Sequence, residues 1–397
     1  MADTQTVSPT QPSSGLVARE FRQRHGELSG IFRAPGRVNL IGEHTDYNDG
    51  FVMPAALGFY TYVAVGPRDD GKLILHSLDF NETVEFFLAD IKPGPTGHWS
   101  DYSRGVAGVL GARGVQITGA NLVIKGDVPI GAGLSSSAAI EVATAFALLS
   151  LAHTTLDRRD IAAICQQAEH QYAGTKCGIM DQFISCFGQA GHALLLDCRS
   201  LDYELLPIPS SAQIVICNTM VRHELAGGEY NLRRADCEAG VQILQRQYPA
   251  IRALRDATLA QLDEVAAEMP ERVFRRCRHV ISEDERTLDA ANALRSGDLA
   301  RFGHRMYESH ASLRDDYEVS CRELDLMVEA ARACRGVFGA RMTGGGFGGC
   351  TVNLVEASAV NGFQNEVARP YESASGIKPV IYVCAASDGA GRIEEQP

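Results

Sequence analysis

Two hydrophobic periods alternate along the chain. Apolar residues recur at every second position over 59–65 and 72–76, which predicts half-buried strands, and the turn residues Arg68-Asp-Asp-Gly71 between them predict a hairpin. Residues 121–124 read as a short strand that runs into a glycine-rich turn. Beyond it, 137–151 is rich in alanine and nearly free of charge, which predicts a buried helix. A second helix is expected over about 158–172, closed by Gly174, with a loop at 177–181 after it. Residues 214–217 read as a strand, and 231–335 have the Ala, Leu, Glu and Arg content of helices. Strands return around 351–355 and 380–384. The expected class is α+β. A chain of 397 residues exceeds the size at which one core stops growing, and the composition shifts near 205–215. The expected organisation is therefore a tail over 1–15, an N-terminal domain over 16–208 and a C-terminal domain over 209–397, with ligands bound in the cleft between the domains.

Composition narrows the function classes. With 45% hydrophobic and 22% charged residues, disorder is expected only at the ends. The Ser-, Thr-, Gln- and Pro-rich start has no basic segment followed by an apolar run, so a secretory leader is not expected. The most apolar run, 138–152, carries Glu141 and is too short for a membrane span, so a soluble, cytoplasmic protein is expected, with a monomer as the default. Eleven cysteines without a Cys-x-x-Cys pair predict reduced, mostly buried thiols rather than a disulfide framework or structural zinc. A net charge of −12 with no basic run excludes nucleic acid and leaves small molecules as partners. An anionic one would need its charge met by backbone amides, a metal ion and a few cationic side chains.

Four segments carry candidate chemistry. In Gly36-Arg-Val-Asn-Leu-Ile-Gly-Glu-His-Thr-Asp-Tyr-Asn-Asp-Gly50, an apolar triplet is followed by Glu43, His44 and Asp46 on a loop. Carboxylates and an imidazole can bind neighbouring sugar hydroxyls, which both donate and accept. A metal site and a solvated polar turn are the competing readings, the metal weakened by the lack of helical His spacing. The second segment, Pro129-Ile-Gly-Ala-Gly-Leu-Ser-Ser-Ser137, lies between a strand and a helix, where glycines, amides and the helix N-terminus cradle an anion. It ends neither in the Gly-Lys-Ser/Thr of a Walker loop nor in a third dinucleotide glycine, and a serine-capped turn is its plainer reading. Glu169 and Asp181 stand in an otherwise apolar stretch, where isolated acids are usually solvated. The fourth, Arg341-Met-Thr-Gly-Gly-Gly-Phe-Gly-Gly-Cys350, spends too much backbone entropy for a simple turn and suggests a flexible or ligand-closing loop.

Together and in this order, the segments resemble the GHMP kinase superfamily, and the first is similar to the signature of its galactokinase family. The resemblance runs from about Arg33 to Ser387. It implies a ribosomal-S5-domain-2-like N-terminal domain and a ferredoxin-like C-terminal domain. It further implies transfer of a phosphoryl group from ATP, with Mg2+, to the anomeric hydroxyl of galactose. Carried over, Glu43, His44, Asp46, Asp181 and Tyr230 would bind the sugar. Gly131, Ala132, Gly133, Leu134, Ser135, Ser136 and Ser137 would hold the phosphates, with Trp99 near adenine. Ser137 and Glu169 would hold the magnesium, Asp181 would accept the hydroxyl proton, and Arg37 would steady the developing charge. One departure is Asp49, where the family pattern has Gly: an inward Asp49 would favour another hexose or an amino sugar such as N-acetylgalactosamine. A non-catalytic galactose and ATP sensor is the other rival. It is disfavoured because the serine-alanine loop, Arg37 and Asp181 are all intact.

Overall fold

The computed structural model describes residues 13–222 and 226–394. Strands run at Gly30–Asn39 (β1), Phe51–Val52 (β2), Pro54–Pro67 (β3), Lys72–Ser77 (β4), Glu82–Phe87 (β5), Ala120–Gly126 (β6), His192–Asp197 (β7), Tyr203–Pro207 (β8), Ala212–Arg222 (β9), Val337–Thr343 (β10), Gly348–Glu356 (β11), Val380–Cys384 (β12) and Gly391–Ile393 (β13). Helices are Ser13–His25 (α1), Asp101–Ala112 (α2), Ser136–Leu151 (α3), Arg158–Ala168 (α4), Met180–Phe187 (α5), Ala226–Gln247 (α6), Leu259–Glu264 (α7), Glu271–Ser296 (α8), Leu299–Asp315 (α9), Arg322–Ala333 (α10) and Val360–Ser375 (α11). The α+β expectation holds. Of the expected tail, 1–12 lie outside the described residues, while Ser13 to Gly15 form the first turn of α1.

A six-stranded sheet has the order β13-β1-β3-β6-β4-β5. One face buries Phe32, Val63, Val65, Leu122 and Ile124 against apolar residues of α2, α3, α4 and α5. The alternate residues Ile31, Ala64 and Val123 meet Val17 and Phe21 of α1 on the other face. The predicted hairpin between 59–65 and 72–76 does not form: β6 lies between β3 and β4, antiparallel to the first and parallel to the second. Leu122, Val123 and Ile124 are all buried, so β6 is apolar on both faces and belongs in the sheet interior. The 68–71 turn is tied instead to the chain entering β6, with Arg68 N donating to Gly119 O and Gly71 N to Thr118 O. The hairpin partner of β4 is β5.

A four-stranded sheet, β10-β11-β9-β12, carries Met327, Phe363 and Tyr371 against Val215, Cys217 and Val355 on one face. Its other face, with Ile214, Ile216, Val352 and Leu354, shares a core with Phe302 and Met306 of α9 and with Val38, Leu40, Met53, Val128 and Leu134 from the first half of the chain. That shared core sets the ends of β1 and the glycine turn before α3 against the hairpin β10–β11. β2, β7 and β8 form a third, small sheet. We keep the division at 208/209 as a proposal; β13, from the second part, pairs with β1 in the first sheet.

Candidate active site

Arg37 sits at the inner end of β1, just past a register shift. Gly36 lets this strand meet the glycine turn: a Cβ there would lie 2.5 Å from Leu134 O, and Arg37 N donates to that same carbonyl at 3.0 Å. The turn itself runs through left-handed Gly131, Gly133 and Ser135 before α3 starts at Ser136. Its shape is one that glycine adopts without strain and serine does not.

Asp181 lies in the first turn of α5, not in the loop the glycines of 174–178 suggested. Arg37 grips it with a two-pronged fork, Nε to Oδ1 and Nη2 to Oδ2, both 2.8 Å, while Nη1 donates to Gly133 O at 2.7 Å. Ser135 Oγ donates to Asp181 Oδ2 as well, a contact the sequence did not announce. These residues face one cleft of 540 Å³, lined by Arg37, Asp181, the turn from Ile130 to Ser137 and, from the second half of the chain, Gly345. Trp99 lines the same cleft, stacked on Phe80 and held by Nε1 donating to Glu82 at 2.8 Å.

The 40–50 loop brings its polar groups to the side of Asp181. Asp46 packs against Gly178, where a Cβ would lie 2.0 Å from Asp46 Cγ. Burial, then the charges of Asp181 and Glu43, push the Asp46 carboxyl up to about 7. Glu43 is buried and bonded by Arg341 Nη2 at 2.8 Å; burial raises its carboxyl, and Arg341 and Arg37 oppose the rise. His44, in the left-handed region, lies 5.5 Å from the Tyr230 ring and 4.7 Å from the Tyr317 ring, and its Nδ1 is 2.8 Å from Tyr47 Oη. Burial holds it well below the usual histidine range, so it is a neutral imidazole. Asp49 occupies a left-handed position, which explains the family glycine there. Its half-exposed carboxylate accepts from Arg199 Nε at 3.1 Å, so the extra charge is met by a guanidinium that it shares with Asp256.

On the phosphate side, Glu169 begins a π-turn at the end of α4, the kind of irregularity that re-aims a side chain. Its carboxyl is pushed up to about 7 by burial and by Asp181, and the Ser137 hydroxyl is among its hydrogen-bond donors. Gln182, fully buried, bridges Glu169 and Glu141, its Nε2 donating to them at 2.6 and 3.1 Å. Buried carboxyls beside a serine hydroxyl are the hard oxygen donors that suit a magnesium ion.

The glycines of 344–349 serve close approach rather than loose closure. They form the β10–β11 turn, in which a Cβ on Gly344 would lie 2.9 Å from Gly133 O and one on Gly346 2.3 Å from Val319 O. Sequence reasoning missed Gln182, Glu141, Glu283 and the pairing of Arg341. Arg341 had a signal, as the residue that opens the glycine segment, and so did Glu141, the lone charge in the apolar run 138–152.

Among the described residues no helix is long and apolar enough to cross a membrane. Three regions match known families: the galactokinase galactose-binding signature over 19–67, the GHMP kinases N terminal domain over 101–189 and the GHMP kinases C terminal over 290–373. The chain is 47% identical to a galactokinase of Roseiflexus sp. over 96% of this chain and 97% of that protein. It is 50% identical to one of Chloroflexus aurantiacus over 90% and 92%. The crystal structure of Lactococcus lactis galactokinase complexed with galactose is similar with a TM-score of 0.92, at 36% identity, covering 96% of this chain and all of that one. Methanococcus jannaschii mevalonate kinase, at 20% identity and a TM-score of 0.63, shares the fold over 92% of this chain and all of that one.

Proposed function

The chain belongs to the galactokinase family of GHMP kinases, and from that premise we infer that it transfers the γ-phosphoryl group of ATP to the anomeric hydroxyl of galactose. Its fold is the two-domain GHMP kinase fold, and the site roles that follow are our reading of its geometry.

The observation that carries them is the Arg37 fork on Asp181, set between the glycine turn and the 40–50 loop. Glu43, His44, Asp46 and Tyr230 bind the sugar, with neutral His44 offering Nε2 because Tyr47 takes Nδ1. Backbone amides of 131–137 receive the phosphates at the N-terminus of α3, and Trp99 beside Phe80 flanks the base. Ser137 and Glu169 would hold a magnesium ion, which would supply positive charge against the phosphates. Asp181 accepts the proton of the attacking hydroxyl. A carboxylate is too weak a base to remove that proton beforehand, but in a loose transition state the proton leaves late and an oriented acceptor suffices. Orientation is what Arg37 supplies: with both carboxylate oxygens in its fork, Asp181 has little freedom to turn. All eleven cysteines are free thiols, which suits a reducing compartment, and we place the enzyme in the cytoplasm.

A coupled assay of ATP consumption over galactose, glucose and N-acetylgalactosamine tests this reading. Galactose should give by far the highest turnover. An enzyme idle with galactose, or faster with N-acetylgalactosamine, would overturn it.

A further inference from the structure

Helix α8 crosses behind the sugar loop and turns one face of buried polar groups toward its backbone. Glu283, fully buried, accepts through Oε1 from Gly42 N at 3.0 Å, Glu43 N at 3.3 Å and Ser309 Oγ at 2.6 Å. Its Oε2 accepts from Arg286 Nε at 2.7 Å. One turn earlier, His279 Nε2 lies 3.1 Å from Glu43 O, and one residue later Asp284 Oδ1 accepts from Phe51 N at 2.8 Å. Arg341 completes the frame by donating to Asn39 O and to Glu43 Oε2, each at 2.8 Å. Glu43 is thus held at its amide, its carbonyl and one carboxylate oxygen by three residues from the second half of the chain.

The loop could not hold this shape unaided. Gly42 and His44 both lie in the left-handed region, and consecutive amides aimed at one oxygen form a small anion nest. A full negative charge in the nest is the strong form of such a contact. Burial would raise the Glu283 carboxyl, yet Arg286, His279 and Arg341 outweigh it and bring it down to about 2.

We propose that Glu283 is a positioning residue for sugar recognition: by fixing the Gly42 and Glu43 amides it aims the Glu43 carboxylate at a galactose hydroxyl. Arg341 occupies Glu43 Oε2, so the hydroxyl is met by Oε1. The inference rests on the reading of Glu43 as a sugar ligand. A part that merely packed the helix against the loop would lower stability without acting through Glu43.

The test is a double-mutant cycle on the full chain, with galactose affinity measured by calorimetry in the absence of ATP. Glu283→Gln should raise the Kd for galactose about tenfold, the scale of losing a charged acceptor for buried amides, and leave the KM for ATP within about twofold. In a Glu43→Gln background the same change should add at most about twofold. Unchanged galactose affinity in Glu283→Gln, or an equal loss in both backgrounds, overturns the proposal. If Glu43→Gln alone leaves galactose affinity intact, the fault lies in the sugar-loop reading and the proposal falls with it. Should Glu283→Gln fail to fold, Ser309→Ala removes a single bond to Oε1. It should raise the Kd about threefold, non-additively with Glu43→Gln, and an additive or absent effect is again fatal.

Discussion

Asp181 makes no bond that folding alone would demand of a carboxylate in a first helical turn. Its two oxygens are spent on Arg37 and Ser135, both lining the cleft. Replacing it by Asn keeps the shape and removes the proton acceptor, so turnover should drop by about 10²–10⁴-fold while galactose still binds in calorimetry. Asp46 gives a prediction in pH. Its folded-state value near 7 exceeds the ordinary 3.8, so between those values the folded chain keeps a proton that the unfolded chain releases. Its contribution to stability is greatest at low pH and is lost as pH rises through that window. In sugar-free protein, Asp46→Asn should therefore shrink the fall in Tm between about pH 5 and about pH 8. The side chains that touch ligands were legible because they sit in compact motifs. Glu283 was not, since it is the first of three consecutive acids, Glu283, Asp284 and Glu285, and only the docked phase of α8 buries the first two and exposes the third.

Single elements were read well where one face decided them and poorly where partners did. The helix over 137–151 and the strand over 121–124 appear nearly as expected, because a run of small apolar residues and a β-rich segment have few alternatives. The false hairpin shows the limit: local turn residues cannot reveal that a strand from fifty residues further on will insert between two neighbours. The loop expected over 177–181 forms at 177–179 but stops two residues early, because α5 begins at Met180. Glycine there does not loosen the chain but clears space for a carboxylate from another element, and α5 begins directly behind it. Gly178→Ala should consequently displace Asp46, raising the KM for galactose tenfold or so with little change in the KM for ATP, as steady-state kinetics would register.

The molecule as a whole is joined at the place where it works. Two glycine segments, 131–133 and 344–349, lie backbone to backbone, so the second half of the chain reaches the cleft through Gly345. Gly344, with φ of 86°, has no room for a side chain. Gly344→Ala should strain both turns and raise the KM for ATP roughly five- to tenfold, leaving galactose affinity largely intact. Sequence reasoning sensed that so many glycines must serve a purpose, but the purpose was contact between segments two hundred residues apart, which no local pattern encodes.

The pairing of β13 with β1 has a consequence for how the protein is made. In a nascent chain β1 emerges long before β13, the strand that flanks it. Until β13 has emerged the first sheet has a bare edge, and until Gly344 has emerged Gly133 has no counterpart to rest against. Fragments that stop short of β13 should thus lack a competent site, and on the ribosome they should depend on chaperones to shield that edge.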